Sequence, residues 1–132
     1  TLGGEWSCAF GVNNAGVVVG SSANAEGVET PAMWKLSDNG WAVRGLETLA
    51  GETGRSAALN DAGLKAGWSL DGAEKVRAVA WKGKGAVMDL NALLPKGTGW
   101  TLIEAKAVQA DGCILGVGEK DGVRRIFRLK ME

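Results

Sequence analysis

The segment Val12-Asn13-Asn14-Ala15-Gly16 decides the fold, because it occurs three times in the chain. Its second copy, Leu59-Asn60-Asp61-Ala62-Gly63, lies 47 residues later, and its third copy, Val108-Gln109-Ala110-Asp111-Gly112, lies a further 49 residues on. Repetition at a nearly constant interval is the signature of a repeat protein. Each copy places a polar turn ending in Gly between two apolar runs, which predicts a tight hairpin with the Gly in the left-handed conformation.

The segments around these turns keep the same spacing and have the pattern of strands. Short apolar runs bounded by Gly, Asn and Asp are typical of strands joined by hairpins. We therefore predict an all-β fold of three four-stranded antiparallel meanders in one domain, with units at about residues 2–46, 47–90 and 91–132. Residues 90–94 are expected to form a helical turn capped by Asp89. The first strands are expected at 8–13, 55–60 and 104–109, the second at 16–22, 63–69 and 112–118, the third ending at Trp34, Trp81 and Leu129, and the fourth at 41–46 and 85–90.

The composition supports a folded domain and excludes several classes of function. Of 132 residues, 45% are hydrophobic and 23% charged, which suffices for one packed core. There is no His, which excludes Ser-His and Cys-His catalysis and His-ligated metal sites, and we expect neither a metal nor a cofactor. The 15 basic and 15 acidic residues balance, so neither nucleic acid nor an anionic membrane is expected as a partner. No apolar run approaches the roughly 18 residues of a membrane span, so we expect a soluble chain.

Two local features, a basic stretch and the cysteines, bear on the surface and the core. Cys8 and Cys113 lie far apart and form no metal-binding cluster, so we expect two buried free thiols rather than a disulfide. A basic stretch near the C-terminus could bind phosphate, but we favour the charged flank of an exposed edge strand, where Lys and Arg discourage aggregation. It consists of Lys120, Arg124, Arg125, Arg128 and Lys130.

A larger set of positions follows one pattern: Leu2-Gly3-Gly4, Ser7, Ala9, Val12-Asn13, Gly16, Val18-Val19-Gly20 and Trp34 in the first unit, then Gly63, Gly67, Trp81, Asp89-Leu90, Gly112 and Gly116. Nearly the whole chain in this way resembles the HAF repeat family, found in probable extracellular repeat proteins of bacteria. The family's His is replaced here by Thr30, Arg77 and Arg125, so a role of that imidazole is not implied. The resemblance implies a propeller-like all-β fold, a bacterial secreted or cell-envelope setting, and no catalytic residues.

Meanders of this kind need neighbours, because a four-stranded sheet cannot bury either of its faces alone. β-Propellers bury them by closing a ring of about 4 to 8 blades, and three units, the last of which ends soon after its third strand, fall short of that. The chain starts at Thr1 without Met or a signal peptide, so one expectation is a piece of a longer propeller. A second is a homodimer with an interface of about 2,000 Å² or more, and a third is a β-trefoil. We favour propeller-type blades, because the resemblance implies them and each unit has the pattern of a local up-and-down sheet.

The six tryptophans fall into two groups. Trp34 and Trp81 recur at matching positions, so we expect both in the core between blades. The other four have no aromatic counterpart in the other units and are candidates for stacking against a sugar or a peptide, with local packing as the simpler interpretation. They are Trp6, Trp41, Trp68 and Trp100.

The acidic residues favour a non-catalytic protein. Asn14, Asp61 and Asp111 lie in turns, where such side chains bond to their own backbone, and no run supplies the oxygen ligands of a calcium site. Glu5 and Glu52 have no visible carboxylate partner for glycoside hydrolysis. The leading hypothesis is a binding or structural scaffold that self-associates through open blade edges. The alternatives are a glycan-acting enzyme with acidic residues in a central opening, and a surface that binds a peptide as an added strand.

Replacing Gly63 or Gly112 by Val should lower the free energy of unfolding by about 1 kcal/mol or more, because a β-branched residue tolerates positive φ poorly. Chemical denaturation of each variant measures the change. No loss at either site would show that the predicted hairpin register is wrong.

Overall fold

The computed structural model describes residues 1–83 and 86–131, and in this range the chain is all-β, with three antiparallel sheets and no closed barrel. In each sheet, strands that are neighbours in the chain are neighbours in the sheet. The first sheet consists of β1 (Gly3–Val12), β2 (Val18–Asn24), β3 (Glu29–Ser37) and β4 (Gly40–Gly45). The second consists of β5 (Gly54–Leu59), β6 (Lys65–Leu70), β7 (Val76–Lys82) and β8 (Ala86–Asp89). The third consists of β9 (Trp100–Val108), β10 (Cys113–Lys120) and β11 (Val123–Lys130).

The predicted all-β fold of antiparallel meanders is confirmed, with shifts at the strand ends. The prediction of four strands in every unit holds for the first two sheets but not for the third, which has three strands, because the chain ends soon after its third strand. β2 begins at Val18 rather than at residue 16, because the Gly16 N–H donates to the Asn13 carbonyl and closes the turn. β1 begins earlier than expected, at Gly3. The predicted start of the fourth strand of the second unit, Gly85, lies outside the described residues. The predicted helical turn is a 3-10 turn, Leu90–Leu93, whose N-cap Asp89 accepts a hydrogen bond from the Asn91 N–H.

The three repeated hairpin turns have the backbone that the sequence predicts. Gly16, Gly63 and Gly112 have φ of +78°, +89° and +87°. In the turn at Asp71-Gly72 the left-handed residue is Glu74, with φ of +60°, and not the Gly. The Glu74 N–H donates to the Asp71 carbonyl, so the turn has the longer form in which the fourth residue takes positive φ.

A β-bulge in the first strand of each sheet explains a second repeated glycine. In the second sheet Ala57 is the extra residue, because Ser56 pairs with Gly67 and Ala58 with Ala66. A Cβ added to Gly67 would lie 1.8 Å from the Arg55 carbonyl oxygen, so no side chain fits there. The matching bulge residues are Phe10 and Lys106, and a Cβ on the matching glycines, Gly20 and Gly116, would lie 1.9 Å and 2.1 Å from the carbonyl oxygens of Cys8 and Glu104.

The sheets stack in chain order, with the second on the first and the third on the second. β5 lies across β1, β2 and β3, and β9 lies across β5, β6 and β7. The core between the first two sheets contains Leu46, Val79 and Trp81. The larger core between the second and third sheets contains Leu64, Ala66, Ala78, Ala80, Leu90, Leu102, Ala105, Ile114 and Phe127.

The basic stretch lies on an edge strand, and the two cysteines differ in burial. β11 is an edge strand of the third sheet, as predicted, and Arg124, Arg125 and Arg128 are exposed along it. Both cysteines are free thiols, and Cys113 is buried. The expectation that Cys8 is buried is wrong, because it lies exposed on β1 at the edge of the first sheet.

Gly67→Ala should lower the free energy of unfolding by more than about 2 kcal/mol, because its methyl group overlaps a backbone carbonyl that cannot move without disrupting the bulge. The matched control is Gly63→Ala, which has positive φ but no atom within 4 Å of an added Cβ, and should cost only about 1 kcal/mol. Urea denaturation compares the two. Equal losses would contradict the steric role assigned to Gly67.

Candidate interaction surfaces

Residues paired side by side across the second sheet form a row that faces the first sheet. Leu59 pairs with Lys65, Lys65 with Trp81, and Trp81 with Val87. Trp81 is fully buried, in a cluster with Leu46 from the link between the sheets. We call this arrangement a packing row: a set of cross-strand neighbours whose side chains cover the preceding sheet.

The third sheet has a packing row at the matching positions. Ile114 pairs with both Val108 and Leu129. All three pack against the core that the second sheet contributes, where Ala80 and Leu90 are fully buried. The second and third sheets therefore use the same row of positions to cover the sheet before them.

The first sheet carries an apolar row at these positions, but no described residues cover it as a sheet would. The row consists of Val12, Val18, Trp34 and Val43, each paired with the next. Side chains alternate along a strand, and the residue before Trp34, Met33, packs toward the second sheet, so the row faces the opposite way. We call the row, together with the adjacent pair Leu36 and Trp41, the open face.

Exposure confirms that the open face is in contact with solvent. Val12 is 66% exposed, Leu36 58% and Trp41 59%. The prediction that both repeated tryptophans lie in the core holds for Trp81 but is wrong for Trp34, which is only half-buried. The physical reason is position in the stack, because Trp81 has the first sheet against it, whereas no sheet formed by the described residues lies against Trp34.

The opposite end of the stack has a second uncovered surface, on the side of the third sheet that faces away from the second. It consists of two cross-strand pairs, Leu115 with Arg128 and Val117 with Ile126. Ile126 is 80% exposed. We call these four residues the far face. This surface was not predicted, although the alternation along β10 and β11 is a signal that could have shown it.

Asparagine side chains connect the hairpin turns of successive sheets. The Asn13 Nδ2 donates to the Asn60 carbonyl at 3.2 Å, and the Asn60 Nδ2 donates to the Gln109 carbonyl at 3.0 Å. Each Asn also accepts a hydrogen bond from its own turn, at the N–H of Val17 and Leu64. The side chain of Gln109, which would continue this ladder, makes no hydrogen bond within the described residues.

The four candidate ligand-binding tryptophans lie on four strands in three sheets. Trp6 is on β1 and Trp41 on β4, at opposite edges of the first sheet, and both are exposed. Trp68 is on β6, with the Arg55 guanidinium 5.9 Å from its ring. Trp100, on β9, packs against the core of the last two sheets. Only Trp41 belongs to the open face, so the structure distributes these side chains rather than grouping them.

Basic side chains form ion pairs with the strand carboxylates of Glu29, Asp89 and Glu104. Arg55 donates to Glu29 at 2.8 Å across the first two sheets, and its guanidinium lies 4.7 Å from the Phe10 ring. Arg77 donates to Asp89 at 2.7 Å. In the described ranges no three His, Cys, Asp or Glu side chains group in a way that could hold a metal ion.

The turn carboxylates of Asp61 and Asp111 accept hydrogen bonds from backbone N–H groups. The Asn14 N–H donates to Asp61 at 2.8 Å and lowers the pKa of that carboxyl. The Cys113 N–H does the same to the pKa of Asp111. Asp111 bonds to its own turn, as the sequence suggested. The same expectation is wrong for Asp61, because its carboxylate accepts hydrogen bonds from the backbone and side chain of Asn14 in the turn of the first sheet.

Lys65 is an unusual member of the second packing row, because it is a lysine that is only 3% exposed. Its Nζ donates to the carbonyls of Gly63 at 3.0 Å and Gly83 at 3.1 Å, and within the described residues it forms no ion pair with a carboxylate. Burial lowers the pKa of this amine. The first sheet has Val18 at the matching position, so the charge is not required by the fold.

Comparison of the chain with protein-family models, with curated proteins and with solved structures gives no match. The described residues contain no helix that is both long and apolar enough to cross a membrane. The interpretation of the surfaces therefore depends on their geometry.

As pH rises from 7 toward the unfolded-state lysine pKa of about 10.4, the wild type should gain stability relative to Lys65→Met. Between the lowered pKa in the fold and that value the unfolded chain binds more protons, so stability rises with pH. Urea denaturation over this range measures the trend, with exposed Lys35→Met as the control. A flat difference would contradict desolvation of the Lys65 amine.

Proposed function

We propose that this protein is a non-catalytic β-repeat module that acts as a binding or structural scaffold and assembles with further blades. The observation that carries this proposal is the uncovered open face, whose counterpart in the second sheet is buried. Trp81 has no exposed surface, whereas Val12, Leu36 and Trp41 are all more than half exposed. Contiguous exposed apolar surface of this kind is typical of interaction sites.

Propeller-type blades are the architecture that we propose for the assembly. Two sheets are complete up-and-down meanders, and two packing rows at equivalent positions stack the three sheets, which supports an arrangement of propeller-type blades. The resemblance to the HAF repeat family supports the same architecture and implies a secreted or cell-envelope setting, which stays a prediction. A β-trefoil is the less favoured alternative, because its three units would share one barrel rather than form separate stacked sheets.

A glycan-acting enzyme is the rival function, and the ion-paired carboxylates of Glu29 and Asp89 give it little support. Hydrolysis needs two carboxyl groups flanking the bond, one of them as a general acid. Here Glu29 pairs with Arg55, and Asp89 pairs with Arg77 and caps a 3-10 turn. Ligand binding by Trp6 or Trp41 without catalysis stays a prediction, which a glycan-array experiment with Ala variants would test.

The purified chain should self-associate at micromolar concentration and should show no turnover of glycans or general hydrolase substrates. Light scattering measures the mass, and a substrate panel measures activity. A monomer at all concentrations would contradict the assembly function. Turnover abolished by replacing one Asp or Glu would instead establish an enzyme.

A further inference from the structure

We propose that the open face of the first sheet binds the far face of the third sheet in a second copy of this chain, so that copies associate head to tail. The proposal rests on the proposed function and names both the partner and the two surfaces. It is argued from the way the chain covers its own sheets.

The contact between the first two sheets is the template for this interface. The row containing Trp81 packs on a cluster that includes Met33, and Met33 pairs across strands with Val19. The matching pair in the second sheet is Ala66 with Ala80, and both lie in the core under the packing row of the third sheet. The matching pair in the third sheet is Leu115 with Arg128, on the far face. The pair on the far face therefore stands at the position that receives a packing row at both sheet contacts within the chain.

The side chains of the two faces suit each other. Arg128 stands where Met33 supports Trp81, so in a head-to-tail contact its guanidinium would lie against Trp34 of the other copy. An Arg on a Trp ring is a favourable cation–π pair. The adjacent pair on the far face, Val117 with the highly exposed Ile126, matches Ser21 with Pro31 in the first sheet. Ser21 and Pro31 are fully buried on the side that the second sheet covers, so a sheet on the far face would bury Ile126 as well.

The hydrogen bonds between the asparagine turns of successive sheets independently support the same order, in which a first sheet follows a third sheet. In both contacts inside the chain, a turn side chain donates to the turn carbonyl of the next sheet. The next member is Gln109, whose amide makes no hydrogen bond within the described residues, and the first turn carbonyl, that of Asn13, accepts only from Gly16. A first sheet placed after a third sheet would bring this donor and acceptor together.

The main rival is a symmetric contact between two open faces, which would leave the far face unused. Charge variants on exposed side chains separate the two arrangements with little risk to folding. Leu36→Glu with Trp41→Glu disables the open face, and Ile126→Glu disables the far face. The matched controls are Ala42→Glu and Val123→Glu, which place the same charge at exposed positions on the same strands but on the opposite faces.

Sedimentation velocity of each protein alone and of equimolar mixtures tests the proposal. We expect each disabled variant to self-associate at least about tenfold more weakly than the wild type, and both controls to associate normally. Mixing the open-face variant with the far-face variant should restore a dimer, because the mixture retains one intact pair of surfaces. Circular dichroism confirms that each variant is folded.

Three outcomes would overturn the proposal, and they separate it from the proposed function. Normal association of Ile126→Glu, or a mixture that stays monomeric, would overturn head-to-tail binding while leaving self-assembly in place. A monomeric wild type would overturn both.

Discussion

The packing of one sheet's cross-strand row onto the preceding sheet is the interaction on which the rest of this structure depends. Each meander has two faces, and an isolated sheet of this size gains too little burial to be stable. Trp81 provides the largest buried side chain at the first contact, and its indole N–H donates to the Glu47 carbonyl at 2.7 Å. The sheets can approach closely because the core is otherwise rich in Ala, Gly and Ser, and because each bulge brings a glycine against backbone.

The sequence predicted the local part of the fold well, because local chemistry determines it. The turns ending in Gly16, Gly63 and Gly112 can be recognised in the sequence, because they contain residues that tolerate positive φ, and the strands lie between them. The bulges were not predicted, since an extra residue such as Ala57 looks like one more strand residue until its partners are known. The left-handed Glu74 was missed for a similar reason, because turn length rather than the Gly at position 72 sets which residue takes positive φ.

The candidate surfaces were harder to predict, because exposure depends on neighbours that a repeat pattern does not specify. Trp34 and Trp81 occupy equivalent positions, yet one is half-buried and the other fully buried. Equivalence in sequence gives equal environment only in the interior of a stack, and end units differ. Lys65 shows the same limit, since its lysine is buried at a position where the first sheet has Val18 and the third has Ile114.

The distribution of charge favours contact through faces over contact through strand edges. The free edge strand of the third sheet carries Arg124, Arg125, Arg128 and Lys130, and basic side chains along an edge discourage the addition of another strand. The open face carries no charge among its six residues, and two of them are tryptophans. A surface that only needed to stay soluble would have charged side chains at positions as exposed as Leu36 and Trp41. The chain thus protects its edge while leaving a face apolar, which is the pattern expected when the face, and not the edge, has a partner.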